Sequence, residues 1–232
     1  AFIGAMDAHH NDANGMAHAC ECIALLSENL TTNRDFMVAA GAPQAVTNAL
    51  DSNPRSVEVV VAAARALRCM SASVNGRRND NVQMNLRVCR SFPALVAGMA
   101  CTRRQYPPLT FREGYRAIQQ LAQDRISRAL LGNSGAVGIL VDGMETCLEF
   151  NDLEAQIEGL RAIQILVTGN GVNHRSFVMK GGAGIIIRSM AMFSNTSITN
   201  TFEACRAFCA VIGMRGGGGG GGVDADELDE KK

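Results

Sequence analysis

The chain has 232 residues, of which 47% are hydrophobic and none is tryptophan, and it carries 22 basic against 22 acidic residues. This length is sufficient for a buried core. The balanced charge gives no overall positive field for nucleic acid, and no apolar run approaches the roughly 18 residues that cross a bilayer. We therefore expect a soluble protein without membrane insertion.

One helix-like segment recurs five times along the chain. The copies are HACECIALLS ending at Ser27, AAARALRCMS at Ser71, EGYRAIQQLA at Ala122, EGLRAIQILV at Val167 and EACRAFCAVI at Ile212. Each has a small residue followed four and seven positions later by large apolar ones, and this spacing marks one face of a helix. The small residues are Ala19, Ala63, Gly114, Gly159 and Ala204, which are 44, 51, 45 and 45 residues apart. A glycine on a buried helix face permits a neighbouring helix to approach closely, although it costs about 1 kcal/mol of helix propensity.

A second element precedes these helices. It reads AAGAPQAV around Gly41, CRSFPALV around Ser91, NSGAVGILV around Gly135 and KGGAGIII around Gly182. Glycine after an apolar helix is a stop signal, and proline suits the first turn of the next helix. Each unit is therefore predicted to contain a short helix, a tight turn, a second helix and a longer third helix. Ser91 replaces the expected glycine in one unit.

The chain is predicted to form one elongated domain and a tail. The domain covers residues 1–213, in units of roughly 1–30, 31–73, 81–123, 124–169 and 170–213. Residues 214–232 contain seven consecutive glycines and then five acidic side chains, which predicts a disordered tail. This tail either solubilises the chain or docks on the protein's own arginines as a lid.

These repeats resemble the armadillo family. Asn33-Arg34-Asp35-Phe36-Met37-Val38-Ala39-Ala40-Gly41-Ala42-Pro43 carries the resemblance most clearly, and the segment from Asn173 to Gly182 repeats it. The resemblance implies an all-α, right-handed superhelical solenoid of four to five three-helix repeats. It also implies a binding protein whose third helices line a concave groove.

The candidate partner-binding residues are those expected to project from the third helices. Four arginines share one register position, about 200° around the helix from the buried Leu or Ile two residues later. The full set of candidates is Arg65, Arg116, Arg161, Arg206, Arg68, Gln120 and Gln164. In importin-like armadillo proteins, the position that resembles the arginine position of this chain holds tryptophan, and the position four residues later holds asparagine. At that later position this chain has Cys69, Gln120, Ile165 and Ala210. The resemblance therefore does not favour a basic localisation peptide.

Two interpretations of the four arginines stay open. They form a row that binds an acidic or carboxylate-rich partner, because guanidinium pairs with carboxylate through two hydrogen bonds. Alternatively, Glu113, Glu158 and Glu203, each three residues earlier, neutralise them within the protein. Arg65 follows Ala62 at that spacing and is expected to be the least compensated.

The sequence predicts neither catalysis nor a cofactor nor a metal site. Its eight cysteines contain no C-x-x-C pair and are expected to be buried, reduced thiols. His9 and His10 fall in the expected loop between a second and a third helix. Motifs typical of hydrolases, metalloproteases and phosphate-binding loops do not occur. Reduced thiols favour a cytoplasmic location, with nuclear or cytoskeletal and ciliary locations open.

We therefore predict a non-catalytic scaffold or adaptor that binds other proteins, including acidic or extended segments, through its groove and its ends. The alternative is a structural subunit of a larger multi-subunit assembly, cytoskeletal or ciliary, and an importin-like transport adaptor is less favoured. Nucleic acid is not favoured, since the polar loops contribute only Arg77, Arg78, Arg103 and Arg104.

Overall fold

The computed structural model describes residues 2–28, 31–72, 79–105 and 107–213. Within these ranges the chain forms fourteen α-helices and no β-strand. The helices are α1 Phe2–Ala8, α2 Ala13–Glu28, α3 Thr31–Ala39, α4 Ala42–Ser52, α5 Val57–Ser71, α6 Asp80–Val88, α7 Ser91–Thr102, α8 Pro107–Leu121, α9 Arg125–Asn133, α10 Ala136–Glu149, α11 Leu153–Val167, α12 Gly171–Met179, α13 Gly182–Phe193 and α14 Ile198–Val211. The predicted tail at 214–232 and the loop arginines Arg77 and Arg78 lie outside the described residues.

The helices repeat as units, which confirms the all-α repeat prediction. A first pair, α1 and α2, precedes four triplets: α3–α5, α6–α8, α9–α11 and α12–α14. In every unit the last helix packs against the last helix of the next unit, so that α2, α5, α8, α11 and α14 stack in series. The three isoleucines of the KGGAGIII segment, Ile185–Ile187, lie in α13, as the repeat register predicts. The histidines His9 and His10 lie in the turn between α1 and α2.

The residues that start each helix follow from local chemistry. Six helices are preceded by a residue whose side chain accepts a hydrogen bond from a backbone N–H of the first turn. The helix itself provides no partner for that N–H. These capping residues are Ser56, Asn79, Asp124, Asp152, Asn170 and Ser197. Three second helices follow a left-handed glycine, for example Gly41 with φ of 89°, which glycine adopts without steric cost.

The unit from α6 to α8 departs from the sequence prediction. Its left-handed residue is Arg90, with φ of 59°, and Ser91 already belongs to α7. The alignment of Ser91 with Gly41 was therefore wrong by one residue, because Pro43 occupies the second helical position of α4 and Pro93 the third of α7. A non-glycine residue in this conformation carries strain of about 1 kcal/mol or more.

Close helix packing explains the central glycine of α11. A Cβ atom on Gly159 would lie 2.8 Å from Met144 Cγ on α10 and 3.2 Å from Tyr115 Cε2 on α8. Among the large apolar residues predicted for the buried face of the third helices, Leu67, Ile118 and Ile163 are fully buried. The prediction is wrong for Leu26 in the first unit, which is 44% exposed. The missing side chain thus permits three helices to meet at the hydrophobic core.

Buried polar contacts tie the first helix of a unit to its neighbours. Asn173 on α12 is buried and its amide donates to the carbonyl oxygens of Arg128, at 2.9 Å, and of Leu166, at 3.0 Å. The neighbouring His174 forms a hydrogen bond with the carbonyl oxygen of Val211 at the end of α14. The short helix α12 is thereby fixed to α9, α11 and α14.

The prediction that the cysteines are buried holds for only part of the set. All eight are free thiols. Cys20, Cys69 and Cys147 are buried, whereas Cys22, Cys101 and Cys205 are exposed and the remaining two are partly buried. Burial raises the pKa of both Cys20 and Cys147 to about 12. None of the helices in the described ranges combines the length and the apolar character that a membrane span requires.

Candidate protein-binding face

The stacked third helices present one continuous row of side chains, which we call the third-helix face. Its central register position is occupied in successive units by Glu21, Arg65, Arg116, Arg161 and Arg206. Ion pairs join Arg65 to α2, Arg116 to α11 and Arg161 to α14, so these side chains lie along the junctions between consecutive third helices. The predicted arginines therefore do lie on one face.

Arg116 connects two units through three carboxylates. Its guanidinium lies 2.7 Å from Glu113 on the same helix. It also lies 2.5 Å from Glu154 and 3.3 Å from Glu158, both on α11 of the next unit. Burial alone would lower the pKa of Arg116, but the hydrogen bond and charge of Glu113 and the charge of Glu158 outweigh it and raise the pKa. This arginine is therefore neutralised inside the protein.

Arg161 repeats the same contacts one unit further along. It lies 3.4 Å from Glu158 on its own helix and 3.0 Å from Glu203 on α14. Glutamines complete the pattern, since Gln119 donates to Glu158 at 2.8 Å and Gln164 donates to Glu203 at 3.0 Å. We call this repeated set the Arg–Glu ladder: Glu113, Arg116, Gln119, Glu158, Arg161, Gln164, Glu203 and Arg206.

The ladder buries two of its carboxylates. Glu158 and Glu203 are only 8% and 5% exposed. Burial by itself would raise the pKa of Glu203, but hydrogen bonds from Gln164 and Arg161 and the charges of Arg161 and Arg206 lower it overall. A buried carboxylate held by charged and neutral donors is stable only while those donors stay in place. The contacts thus favour the interpretation that the glutamates neutralise the arginines, while binding of an acidic partner by these arginines stays a prediction.

Arg65 was expected to be the least compensated of the four arginines, and this expectation is wrong, since Arg206 has the weaker contact. Its guanidinium lies 2.5 Å from Glu21 and 3.9 Å from Glu28, both on α2 of the preceding unit. Sequence alignment within one helix could not reveal this, because the partner sits 44 residues away at the same register position. Arg68 reaches forward to Glu113 at an ion-pair distance of 4.0 Å.

Of the two candidate glutamines, Gln164 belongs to the Arg–Glu ladder and Gln120 does not. Gln164 is part of the ladder, while Gln120 is half-buried and its neighbour Gln119 makes the equivalent contacts. Gln119 follows Arg116 by three residues, just as Gln164 follows Arg161. That repeated spacing was the signal that could have identified Gln119. Glu154 and Arg112, which pair at 2.6 Å across units, were also missed.

The ladder does not extend into the first two units. The positions that hold Glu113, Glu158 and Glu203 in later units are occupied there by His18 and Ala62. A groove of about 590 Å³ lies at this end of the face, between α2, α5 and the start of α8. It is lined by Ala17, His18, Glu21, Val57, Glu58, Val61, Ala62, Gln105 and Leu109. The groove thus combines an apolar floor with two carboxylates.

Glu58 gives the groove a fixed negative charge. It lies in the first turn of α5, where a backbone hydrogen bond and a second one from Ser56 lower its pKa. Glu58 forms no ion pair with any side chain in the described ranges. Glu21, by contrast, is already paired with Arg65. One unpaired carboxylate therefore borders the apolar floor.

The other end of the face is open in a different way. Among the described residues, Arg206, the last member of the ladder, has Glu203 as its only carboxylate partner, at 3.5 Å, and its side chain is 58% exposed. Its guanidinium also lies 5.6 Å from the centre of the Phe202 ring. Ile198 and Phe202 are exposed, whereas their counterparts Leu153 and Ile157 are partly buried.

Comparison with known proteins places this architecture among helical repeat proteins. No known protein family and no curated protein matches the chain. The crystal structure of an engineered protein matches with a TM-score of 0.73 and 18% identity, over 90% of this chain and 79% of that one. A designed armadillo repeat protein matches with a TM-score of 0.52 and 14% identity, over 90% of this chain and 98% of the other. A second designed armadillo repeat protein, in complex with the peptide (KR)4, matches with a TM-score of 0.52 and 15% identity over the same shares.

The chain therefore has the fold of an armadillo-type α-solenoid. At these identities the likeness shows the fold alone. The three-helix units, the left-handed turn before each second helix and the stacked third helices are the features of this chain that correspond to that architecture.

Proposed function

We propose that the protein is a non-catalytic scaffold that binds an extended segment of another protein along its third-helix face, chiefly in the groove between α2, α5 and α8. The observation that carries this proposal is the end of the Arg–Glu ladder at Ala62. Beyond that point the face is occupied by its own salt bridges, and before it a groove of about 590 Å³ is open. The complex of a designed armadillo repeat protein with a peptide supports peptide binding by this fold.

The chemistry of the groove favours a segment with an apolar side chain beside a basic one. Val57, Val61 and Leu109 offer an apolar surface, and burial of an aliphatic side chain against such a surface supplies most of the binding free energy. The carboxylate of Glu58 is the available partner for a lysine or arginine on the ligand. This differs from the acidic partner predicted from the arginines, since those arginines already have carboxylate partners.

The test is selection of peptides from a random library with the full chain, followed by affinity measurement on two matched variants. Val61→Arg places a charge on the floor of the groove. Ile157→Arg makes a comparable change at the same register position two units later, where the ladder covers the face. We expect the affinity of a selected peptide to fall about tenfold or more with Val61→Arg and to change less than about twofold with Ile157→Arg.

Circular dichroism verifies that both variants keep their helices. Equal affinity of the selected peptides for both variants would place the binding site elsewhere and refute the groove. Failure to select any peptide with a dissociation constant below about 100 µM would refute peptide binding itself.

A structural subunit of a larger assembly is a second candidate, favoured by one specific observation. The last unit exposes a set of apolar side chains whose counterparts in the previous unit are covered, with Ile198 at 88% exposure. A following helical repeat of another chain would cover them and would offer Arg206 a second carboxylate. Stoichiometric, salt-resistant co-purification with other proteins would support this candidate over a peptide-binding scaffold. The free cysteines support our proposal of a cytoplasmic location.

A further inference from the structure

The first helices of the last three triplets share an exposed surface that the third-helix face does not explain. We call the exposed side of α6, α9 and α12, with their flanking turns, the first-helix edge. It carries large exposed apolar side chains at Met84, Val88, Ile126, Leu130, Val172, Val178 and Met179. An apolar strip of this length on a solvent-exposed face is typical of a binding surface.

The first-helix edge is also basic. The segments 79–90, 124–135 and 170–181 contain six arginines and lysines but only two acidic residues, Asp80 and Asp124. Asp124 already binds Arg87 at 2.5 Å. Arg90, Arg125, Arg175 and Lys180 are exposed, and they form no ion pair within the part of the chain that the structure describes. The edge therefore keeps its positive charge, unlike the arginines of the ladder.

A shallow groove follows this edge between α6 and α9. It has a volume of about 400 Å³, and it is lined by Met84 and Ile126 together with two arginines and two aspartates, Arg87, Arg125, Asp80 and Asp124. Leu130 lines an adjoining depression with Arg87 and Arg90. Apolar and cationic groups thus alternate along the same strip.

The described part of the chain ends beside this edge. Val211 at the end of α14 is hydrogen-bonded to His174 of α12, and Asn173 of α12 is in turn hydrogen-bonded to Arg128 of α9. Packed helices lie roughly 8–10 Å apart, so α9 is one helix away from the point where the chain leaves α14. Residues 214–222 can span up to roughly 30 Å when extended. The sequence that follows them can therefore reach α12 and α9.

That sequence, VDADELDEKK at 223–232, has five acidic side chains and two lysines, with Val223 and Leu228 as its larger apolar members. This segment carries more acidic than basic residues, and the first-helix edge carries more basic than acidic ones, so the two have opposite charge. We propose that residues 223–232, the acidic segment, dock on the first-helix edge of their own chain. The carboxylates meet Arg125, Arg175 and Lys180, and Leu228 covers part of the apolar strip.

Tethering makes such a weak contact effective. A connection of only nine residues, 214–222, keeps the acidic segment at a local concentration in the millimolar range, so that modest ion pairs and one buried leucine suffice to populate the docked state.

The experiment uses the full chain with p-benzoyl-phenylalanine in place of Leu228, photocrosslinking, and mass spectrometry of the crosslinked peptides. We expect crosslinks within one chain to peptides of α9 and α12. We expect their yield to fall about five- to tenfold in the double variant Arg125→Glu/Arg175→Glu, because two of the exposed cations are reversed, and to fall at high salt.

The matched control is Arg55→Glu/Arg104→Glu, which makes the same charge change at two exposed arginines on other turns of the chain. This control is expected to keep the crosslinks. If the edge variant does not fold, the triple variant Asp224→Asn/Asp226→Asn/Glu227→Gln removes the opposite charges and is expected to lose the crosslinks as well.

Crosslinks between two chains, crosslinks to the third-helix face, crosslinks scattered without preference, or a yield that neither variant reduces would each overturn the proposal. Binding of peptides to the α2–α5–α8 groove does not depend on this contact, so either proposal can fail alone.

Discussion

Replacement of Glu203 by glutamine tests whether the buried carboxylates of the Arg–Glu ladder hold adjacent units together. Glu203 lies at the junction of α11 and α14, where it accepts from Arg161 Nε at 3.0 Å and from Gln164 Nε2 at 3.0 Å. Its side chain is only 7% exposed. Glutamine keeps the shape and one acceptor oxygen, but it removes the charge and sets an NH2 donor against one of these two donors. The change therefore removes the ion pair together with one hydrogen bond.

The expected loss can be worked from these contacts. A hydrogen bond to a charged group contributes about 1.5–3 kcal/mol. The guanidinium of Arg161 is 39% exposed and keeps Glu158 as a second partner, and solvent screening reduces the contribution of such a partly exposed pair. We therefore expect Glu203→Gln to lower the free energy of unfolding by about 1–2 kcal/mol, which corresponds to roughly 2–8 °C in Tm for a chain of this size.

Glu154→Gln is the matched control. Glu154 also pairs with two arginines, at 2.6 Å from Arg112 and 2.5 Å from Arg116, but its side chain is 48% exposed. Exposed ion pairs contribute about 0–1 kcal/mol, so the control should cost clearly less than Glu203→Gln. Urea titrations followed by far-ultraviolet circular dichroism give both values. Equal losses for the two variants would refute the argument that burial makes the ladder stabilising.

The pH dependence of the free energy of unfolding gives an independent check of the direction of the Glu203 pKa shift. The pKa of Glu203 is lowered in the folded protein, so its stabilising contribution is complete above the ordinary carboxyl pKa of about 4.3 and is lost as the pH falls through the lower folded value. The difference between the wild type and Glu203→Gln should therefore be constant from pH 6 to 8 and shrink below about pH 4. A difference that grew on acidification would contradict the direction of this shift.

Further predictions concern packing, buried hydrogen bonds and backbone strain, each measured by urea unfolding. Gly159→Ala should destabilise by about 1–2 kcal/mol because its Cβ would lie 2.8 Å from Met144 Cγ. Gly184→Ala, whose Cβ would have no heavy atom within 4 Å, should stabilise by about 0.5 kcal/mol. A similar gain at both sites would contradict close packing at Gly159. Asn173→Ala should cost about 1–3 kcal/mol through two lost hydrogen bonds, and a cost below about 0.5 kcal/mol would show that they contribute little. Arg90→Gly should stabilise by about 0.5–1 kcal/mol because φ is 59°, and destabilisation would show that the arginine side chain matters more than the strain.

The helices and their repeat could be predicted because both depend on local patterns. The buried 0, 4, 7 positions, the glycine turns and the capping residues are each set within about fifteen residues. The pairing of Arg65 with Glu21 could not be predicted in this way, since it depends on how far one unit rotates relative to the next. The same reason explains why Gln119 was missed in favour of Gln120, for a shift of one residue changes which neighbouring helix a side chain reaches.

The identity of one register position decides whether the third-helix face is closed or open. In the last three units this position holds glutamate. Glu158 and Glu203 meet the ladder arginine of the preceding unit, and Glu113 lies 4.0 Å from Arg68 of the preceding unit. In the unit of α5 it holds Ala62, and the residue opposite in the preceding unit is Glu21. A glutamate at position 62 would therefore face a like charge, so the alanine, and with it the groove, is coupled to the carboxylate of Glu21.

A double-mutant cycle tests this coupling. Ala62→Glu alone should destabilise through repulsion with Glu21, and Glu21→Arg alone should destabilise by placing two arginines together at Arg65. The double variant recreates the contact seen between Arg161 and Glu203, so the two changes should compensate each other by about 1–2 kcal/mol in urea unfolding. The new side chains would also fill the groove, and the double variant should lose about tenfold or more in affinity for a selected peptide while it stays folded. Additive free energies with unchanged peptide affinity would show that the end of the ladder and the groove are unrelated.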